Sequence, residues 1–404
     1  MRSVDDHLAR VLAGIVPLTP IDMGLTDAHG CILAEDVRAP WPLPPFDNSA
    51  MDGYAVQAGS IANASTSAPA RLKVVDDIPA GTRPRATVGP GVAARIMTGA
   101  PMPYGADTVV PVEHTDGQTQ VVSVFTPYRM GAHVRRAGDD VHSGALVLQA
   151  GSVMDSRHTA LAAAVGRAGV MVHPRPRVVV LTTGSELVSP GQQLGPGMIN
   201  DVNGPTLTVA ATEAGAEAFW VGPVVDDPEV LTNALEDQLV RADVVITTGG
   251  VSAGAYDAVK QVLRRLGTVE FIRVAMRPGM PQGFGTISGV PIYTLPGNPI
   301  SALVSFEVFV RPVLRRMLGY VDIMRPVVEA TVTQDVDSVA GKRHFLRGQV
   351  VHTAEGHLFH PGSSQGSHQV SQLALTNGLA VVPDEMAHVS AGTRLPVMDW
   401  SRGA

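Results

Sequence analysis

Glycine-containing loops that follow short apolar runs are the parts of this sequence best suited to chemistry. The run Val244–Ile246 leads into the TTGG loop Thr247–Gly250, and Asp257 and Lys260 follow where helical apolar spacing begins. This order predicts a buried strand, a glycine turn and a helix start. Backbone N–H groups at such a turn favour phosphate and other anions, and glycine lets the backbone approach a ligand closely. One such loop alone is weak evidence for a site.

The same arrangement recurs at two more predicted strand ends. Thr182–Glu186 follows the apolar run Val178–Leu181, and Leu295–Pro299 (LPGNP) ends another. Ligands of open αβ sheets bind beyond the carboxyl ends of the strands. We therefore expect the three loops to converge on one ligand site.

An alternation of strands and helices runs from Arg177 to about Leu318. Strands are predicted at 178–181, 217–221, 244–247, 269–274 and 292–295, and helices at 205–214, 229–241, 257–266 and 300–318. This alternation predicts a doubly wound, parallel sheet with helices on both faces.

The segments on either side of the αβ region differ from it in composition and in the spacing of apolar residues. Residues 4–15 have the apolar spacing of a helix that Pro17 would end, and residues 40–45 form a stiff proline-rich link. Short apolar runs separated by glycine and proline predict a β-rich region over 60–140. Past Pro326 the alternation predicts a small β-barrel or sandwich.

Composition argues against several classes of function. The 404-residue chain has a formal net charge of −7, which gives no electrostatic footprint for nucleic acid or an anionic membrane. Cys31 is the single cysteine, which excludes internal disulfides and fits a reducing cytoplasm. We expect no signal peptide and no membrane span.

Five blocks of sequence, taken together and in order, resemble one family closely. They are PPFDNSAMDGYAV, RIMTGAPMP, TGSEL, TTGGVSAGAYD and LPGNPISA, and they are similar to those of the molybdopterin molybdenumtransferases, which are related to the gephyrin E domain. The resemblance implies that adenylylated molybdopterin and molybdate are the substrates. The products would be molybdenum cofactor and AMP, and Mg²⁺ or another divalent cation would assist.

The resemblance also implies a multidomain α/β plus β architecture. Its expected parts are an N-terminal helix with a first linker-domain segment (1–45), a β-rich insertion domain (46–140), a second linker-domain segment (141–172), a three-layer αβα molybdopterin-binding domain (173–322) and a C-terminal β-barrel (323–404). Family members form homodimers whose active site lies between the αβ domain and the other subunit's β-rich domain. We therefore expect a homodimer, and a molybdopterin adenylyltransferase is a candidate partner.

Catalytic roles follow from the same resemblance. They fall on Asp52, Thr98, Asp140, Glu186, Asp201 and Asp257. Asp201 and Asp257 are predicted to hold the cation, since magnesium takes one or two protein carboxylates. Either aspartate could instead cap a helix N-terminus. Asp52 could instead be only a turn residue, and Arg135 and Arg136 could pair with Asp140.

Substrate-binding roles fall on loop residues and two arginines. They are Gly184, Ser185, Gly249, Gly250, Ser252, Arg277, Pro296, Gly297, Asn298, Pro299, Arg347 and Ser367. Molybdate is an oxyanion and needs cationic or N–H donors, which the arginines would supply. Two positions depart from the family pattern: Met280 stands where lysine is frequent, and Ala255 replaces a frequent acid.

Three alternative functions stay open from the sequence. A molybdopterin adenylyltransferase has the TGGVS-type loop but needs neither N-terminal block. A gephyrin-like scaffold would bind a peptide partner and tolerate loss of the acids. A tungstate-specific paralogue cannot be distinguished, because the two oxyanions are similar in charge and size.

Overall fold

A computed structural model describes residues 1–250 and 258–400. The chain divides into two compact units. The αβ–barrel unit comprises Met1–Asp22, Gly30–Ala34 and Met171–Ala404, and the β-rich unit comprises Met23–His29 and Glu35–Val170. The five-part division expected from the sequence stays a prediction. No helix within the described ranges is long and apolar enough to cross a membrane.

The first helix, α1 (Val4–Leu12), is shorter than the predicted 4–15. Its N-terminus is capped by Ser3, whose hydroxyl accepts a hydrogen bond from the Asp6 N–H at 3.0 Å. The helix ends before Pro17 because Ala13 is already extended and Gly14 has a φ of +78°, a left-handed conformation that suits glycine.

The main sheet of the β-rich unit has five strands, four of which lie within the predicted range 60–140. They are β1 (Gly53–Val56), β2 (Ala70–Ile78), β3 (Val92–Ile96), β4 (Thr108–Pro111) and β5 (Val121–Val124), in the sheet order β4-β1-β3-β2-β5. Only the β2–β3 pairing in this sheet is parallel. A Cβ on Gly53 would lie 1.9 Å from the Val110 carbonyl oxygen, so the close pairing of β1 with β4 requires glycine there. Helix α2 (Ser156–Ala164) follows, capped by Asp155.

The central sheet of the αβ–barrel unit has six strands. They are β6 (Arg177–Thr183), β7 (Glu217–Val224), β8 (Val244–Thr248), β9 (Glu270–Arg273), β10 (Pro281–Ile287) and β11 (Val290–Leu295), in the order β7-β6-β8-β11-β10-β9. The pairings among β7, β6, β8 and β11 are parallel, as predicted. The all-parallel prediction is wrong for β9 and β10, which are antiparallel to their neighbours. Ser288 and Gly289 both have positive φ, and this two-residue turn folds β10 and β11 into a hairpin.

Helices cover both faces of this sheet, which confirms the αβα layering. They are α3 (Asn203–Glu213), α4 (Pro228–Leu239), α5 (Ala258–Leu266), α6 (Pro299–Ser305) and α7 (Arg311–Met317). Along β6, Val178 and Val180 pack in the core with α3, α6 and α7, whereas Val179 and Leu181 pack with α4 and α5. This alternation is the two-residue period of a strand buried on both faces.

A single predicted helix, 300–318, contains a change of winding. Phe306–Val310 is π-helical and joins α6 to α7. Pro312 has no N–H to donate to the carbonyl four residues earlier, and a π turn accommodates that loss. Glu307 lies in this segment, and both its carboxylate oxygens accept hydrogen bonds from Arg325, at 2.8 and 3.1 Å.

The C-terminal region is a closed barrel, which decides between the barrel and the sandwich. Its strands are β12 (Val327–Val332), β13 (Arg343–Thr353), β14 (Gly356–Pro361), β15 (Gly378–Val382) and β16 (Arg394–Asp399). They pair in the order β13-β14-β12-β16-β15, and β15 pairs again with β13 to close the barrel.

Short strands complete the fold. They are Ile21–Gly24, Ile32–Leu33, Val37–Arg38, Asn48–Ser49, Val134–Arg135, Leu146–Leu148, Gly169–His173, Leu187–Val188, Ile199–Asn200, Met276–Arg277, Val336–Asp337 and His388–Val389. Met276–Arg277 pairs in parallel with the start of β13, so the barrel is hydrogen-bonded to the loop before β10.

Replacing Glu307 with glutamine should lower the free energy of unfolding by about 3–5 kcal/mol, because Arg325 would lose its buried counter-charge. The two side chains are 4% and 8% exposed. Urea denaturation of the variant measures the change. The control is Asp5→Asn, which removes an ion pair with Arg343 from a side chain that is 72% exposed and should cost at most about 1 kcal/mol. Equal losses in the two variants would contradict this assignment.

Candidate functional site

A cleft of about 600 Å³ lies at the carboxyl ends of β6, β8 and β11. Its lining residues include members of all three predicted loops and of the start of α3, together with residues from the short strands, β10 and the C-terminal region. They are Thr183, Glu186, Leu187, Ile199, Asn200, Asp201, Val202, Asn203, Thr248, Gly249, Gly250, Pro281, Pro296, Gly297, Asn298, Pro299 and His368. The predicted convergence of the three loops is therefore confirmed.

Backbone contacts between glycines bring the loops together. Gly249 has a φ of +92°, and a Cβ there would lie 2.8 Å from the carbonyl oxygen of Thr183. On the other side, a Cβ on Gly297 would lie 3.7 Å from the Cα of Gly249. The three loops thus meet through main-chain contacts.

Asp201 is buried at the floor of the cleft, with 1% of its surface exposed. One carboxylate oxygen accepts a hydrogen bond from the Thr182 hydroxyl at 2.5 Å, and the other accepts from the Gly204 N–H at 3.0 Å. The Thr182 hydroxyl also accepts from the indole N–H of Trp220 at 3.2 Å. Asp201 therefore does bond to the N-terminal turn of α3, and it lines the cleft at the same time.

Asn203 was not singled out from the sequence. Its amide nitrogen donates to the Gly297 carbonyl at 2.7 Å, which ties α3 to the LPGNP loop. Its amide oxygen is buried and has no hydrogen-bond partner among the described residues. A buried carbonyl oxygen without a donor is unfavourable unless a ligand or ion satisfies it. The signal available in the sequence was its place two residues after Asp201, at the start of a helix.

Glu186 lies at the exposed rim of the cleft, in the turn between β6 and Leu187–Val188. A Cβ on Gly184 would lie 2.7 Å from a Glu186 carboxylate oxygen, so glycine makes room for this side chain. The neighbouring Ser185 hydroxyl accepts a hydrogen bond from the Asp226 N–H at 3.3 Å, and the Ser185 N–H donates to the Asp226 carboxylate at 3.4 Å. Asp226 is a second acid that sequence reasoning missed, because Asp227 and Pro228 were interpreted only as a helix start.

Ser367 and Arg347, from the C-terminal region, lie next to this part of the structure. The Asn298 amide donates to the Ser367 hydroxyl at 3.2 Å. Arg347 is 1% exposed, and one of its nitrogens donates to the carbonyls of Ser364 and Gly366 at 3.1 and 3.2 Å. Burial lowers the pKa of Arg347. Its other two N–H-bearing nitrogens have no partner within the described residues.

His344 lies close enough to Arg277 and Arg347 for both positive charges to affect its pKa. Arg277 is its register partner on the short strand beside β13. Burial, and then the positive charges of Arg277 and Arg347, lower the pKa of His344 to about 4. Both arginines therefore act on one buried imidazole, although neither is among the described residues that line the cleft.

Comparison with known proteins identifies the family. The chain matches the MoeA N-terminal region (domain I and II) over residues 2–166, a probable molybdopterin binding domain over 179–316, and the MoeA C-terminal region (domain IV) over 329–400. It is 46% identical to molybdopterin molybdenumtransferase 2 of Mycobacterium tuberculosis strain H37Rv, over 99% of this chain and 100% of that protein. The chain belongs to the molybdopterin molybdenumtransferase family.

Two further relatives agree with this assignment. Molybdopterin molybdenumtransferase 1 of the same strain is 41% identical, over 97% of each chain. A crystal structure of a molybdopterin biosynthesis MoeA protein from Pyrococcus horikoshii superposes with a TM-score of 0.81, at 33% identity, over 100% of this chain and 99% of that one. The similarity to the family thus extends over the whole fold.

The remaining acids expected from the family pattern lie in the β-rich unit. One Asp52 carboxylate oxygen accepts hydrogen bonds from the Thr98 N–H at 2.7 Å and from its hydroxyl at 2.8 Å. Both bonds lower the pKa of Asp52. Asp140 is exposed, and the anticipated partner Arg136 pairs with Asp47 instead, at 2.6 Å.

Two predicted site residues, Ser252 and Asp257, lie outside the described residues, as does the departure at Ala255. Among residues 1–250 and 258–400, no group of three or more histidine, cysteine or acidic side chains is placed to hold a metal ion. The paired role of Asp201 and Asp257 at a cation therefore stays a prediction.

Substituting Gly249 with alanine should cost more stability than the same change at Gly289. Both glycines have positive φ, +92° and +84°, so alanine is strained at each. Only at Gly249 would the new methyl group also meet the Thr183 carbonyl; nothing lies within 4 Å at Gly289. We expect an extra loss of about 1–3 kcal/mol, measured by urea denaturation. Equal losses would mean that the loops do not meet as described.

Proposed function

We propose that this protein inserts molybdate into adenylylated molybdopterin and releases AMP, giving molybdenum cofactor. The observation that carries the proposal is the cleft itself, where three glycine-containing loops meet above a buried carboxylate. Full-length similarity to proteins named molybdopterin molybdenumtransferase supports the same reaction.

The loops suit the adenylate end of this substrate. The pyrophosphate-type linkage carries negative charge, and Gly249, Gly250 and Gly297 allow backbone N–H groups to approach its oxygens without side chains intervening. The Asn298 side-chain amide at the rim adds a donor. Ser252, by resemblance, adds a hydroxyl. Pro296 and Pro299 fix the backbone of the LPGNP loop on either side of Gly297.

The acidic residues differ in exposure and therefore have different proposed roles. Asp201 is held at the floor by Thr182 and Gly204, so it presents a fixed negative charge. Glu186 is exposed at the rim, where its carboxylate oxygens can accept hydrogen bonds from a bound ligand or from solvent. Asp52, Thr98 and Asp140 are proposed to contribute from the β-rich unit.

The donor set at the floor suits a divalent cation such as Mg²⁺. Asp201 and, by resemblance, Asp257 would hold it. The Asn203 amide oxygen, which has no partner within residues 1–250 and 258–400, is a further oxygen donor. Bound there, a divalent cation would neutralise phosphate charge as the linkage to AMP is cleaved.

Arg277, Arg347 and Ser367 are the proposed contacts to molybdate. The Arg347 N–H groups that lack a partner in the described part of the chain can donate to the oxygens of a tetrahedral oxyanion. Tungstate would present similar oxygens and charge. Met280, half-buried in the loop that contains Arg277, cannot supply the charge of a lysine. The proposed location is the cytoplasm, with a molybdopterin adenylyltransferase supplying the substrate.

Purified protein mixed with adenylylated molybdopterin and Mg²⁺ should release AMP when molybdate is added. Asp201→Asn should keep the fold, because the asparagine oxygen can still accept from Gly204 and its amide can donate to Thr182. The rate should nevertheless fall by about 100-fold or more, since the fixed charge is lost. Chromatography of AMP with time, together with thermal unfolding, measures both effects.

The matched control is Asp227→Asn. Asp227 also caps a helix, accepting from Glu229 and Val230 at the start of α4, but it is not among the residues that line the cleft. Full activity in both variants would refute the role of Asp201. Release with tungstate but not molybdate would identify the other oxyanion, and binding without any release would favour a scaffold.

We also propose a homodimer. Sedimentation equilibrium should give about twice the 42.2 kDa chain mass. Asp52→Asn and Asp201→Asn should each be nearly inactive alone, and mixing them under conditions that exchange subunits should restore part of the activity. A fully active monomer would contradict the proposal. If mixed dimers form but recover no activity, Asp52 and Asp201 do not act in one site shared between two subunits.

A further inference from the structure

Two histidines face each other across the β13–β14 hairpin of the C-terminal barrel, apart from the cleft. His352 and His357 are direct register partners, and their Nδ1 atoms lie 3.0 Å apart. The rings are nearly perpendicular, at 82°. We infer that this pair is a binding site for a divalent transition-metal ion, with Cu²⁺ or Ni²⁺ preferred to Zn²⁺.

A buried carboxylate lies close to one of the two rings. Nε2 of His352 lies 3.1 Å from a carboxylate oxygen of Asp399, whose side chain is fully buried. The nearby negative charge favours the proton on Nε2, which leaves the lone pair on Nδ1, the atom that faces His357. A carboxylate behind a ligating imidazole sets the tautomer and raises the basicity of the ligand in protein metal sites. Asp399 is therefore a positioning residue.

The present contact between the rings is a hydrogen bond that a metal ion can replace. With the Nε2 proton on His352, the Nδ1–H of His357 donates to Nδ1 of His352. On metal binding, the His357 proton moves through solvent to its own Nε2, so each ring stays neutral and both Nδ1 lone pairs bind the ion. The hairpin tip is exposed, so the His357 ring can rotate to aim its lone pair.

The separation of the two Nδ1 atoms favours one coordination geometry over another. At a metal–nitrogen distance of about 2.0–2.1 Å, a right-angle bite places the nitrogens about 2.9 Å apart and a tetrahedral one about 3.3 Å. The 3.0 Å separation in the hydrogen-bonded pair is closer to the smaller of these values, so a tetragonal site, which Cu²⁺ and Ni²⁺ favour, needs the smaller movement of the rings. No third ligating side chain converges on the pair within the described residues, so water completes the coordination.

Titration of the full-length protein with Cu²⁺ or Ni²⁺ in a non-coordinating buffer tests the site. We expect one specific equivalent by calorimetry and, for Cu²⁺, an electron paramagnetic resonance spectrum with hyperfine structure from two nitrogens. His352→Gln and His357→Gln should each weaken binding at least tenfold. Asp399→Asn should weaken it by about tenfold. Zn²⁺ should bind more weakly than Cu²⁺.

His360→Gln is the matched control. His360 lies on the same strand, β14, but its Nδ1 is 3.0 Å from the Thr333 hydroxyl. This variant should bind like the unmodified protein. Equal weakening in the His357 and His360 variants, or unchanged binding after both His352 and His357 are replaced, would overturn the site. If Asp399→Asn does not fold, the variants at the exposed hairpin still decide the question.

Discussion

The buried carboxylate of Asp201 determines how β6 and the start of α3 pack at the floor of the cleft. A charged group removed from water is tolerated only when hydrogen bonds satisfy it, and here the donors are the Thr182 hydroxyl at the end of β6 and the Gly204 N–H in the first turn of α3. A Cβ on Gly204 would lie 2.2 Å from the indole nitrogen of Trp220, so that position must be glycine. The same indole donates back to Thr182. Strand, helix and loop are thus fixed relative to one another by one closed set of contacts.

Two arginines with buried side chains in the αβ–barrel unit differ in how their positive charge is balanced. Arg325 has its charge balanced by Glu307 through two hydrogen bonds, as a structural ion pair should. Arg347 instead donates to two carbonyl groups and leaves two nitrogens without partners in the described structure. Burying a positive charge without a counter-charge destabilises the folded state. Unfavourable features of this kind are expected at functional sites. This contrast is the reason to assign Arg347, and not Arg325, to an oxyanion.

Local patterns in the sequence were sufficient for the three loops and for most of the elements. Each loop is a contiguous signal of strand, glycine and helix start, and the parallel strands bring those signals to one edge. The β10–β11 hairpin was missed because its signal is a short Ser-Gly turn inside an apolar stretch. Asn203 was missed for another reason: its importance depends on the Gly297 carbonyl of a loop distant in sequence, which no local pattern contains.

Burial was the property least accessible from the sequence. Arg347 resembles an ordinary surface arginine in its local context, yet only 1% of its surface is exposed in the folded protein. The carbonyls that hold it belong to Ser364 and Gly366, and the next residue, Ser367, accepts a hydrogen bond from Asn298 in the LPGNP loop. The position of that segment is therefore set from both sides, by the barrel and by the αβ sheet. A guanidinium held in this way keeps the N–H groups that have no partner among the described residues in one orientation, which would reduce the reorganisation needed to bind the proposed oxyanion.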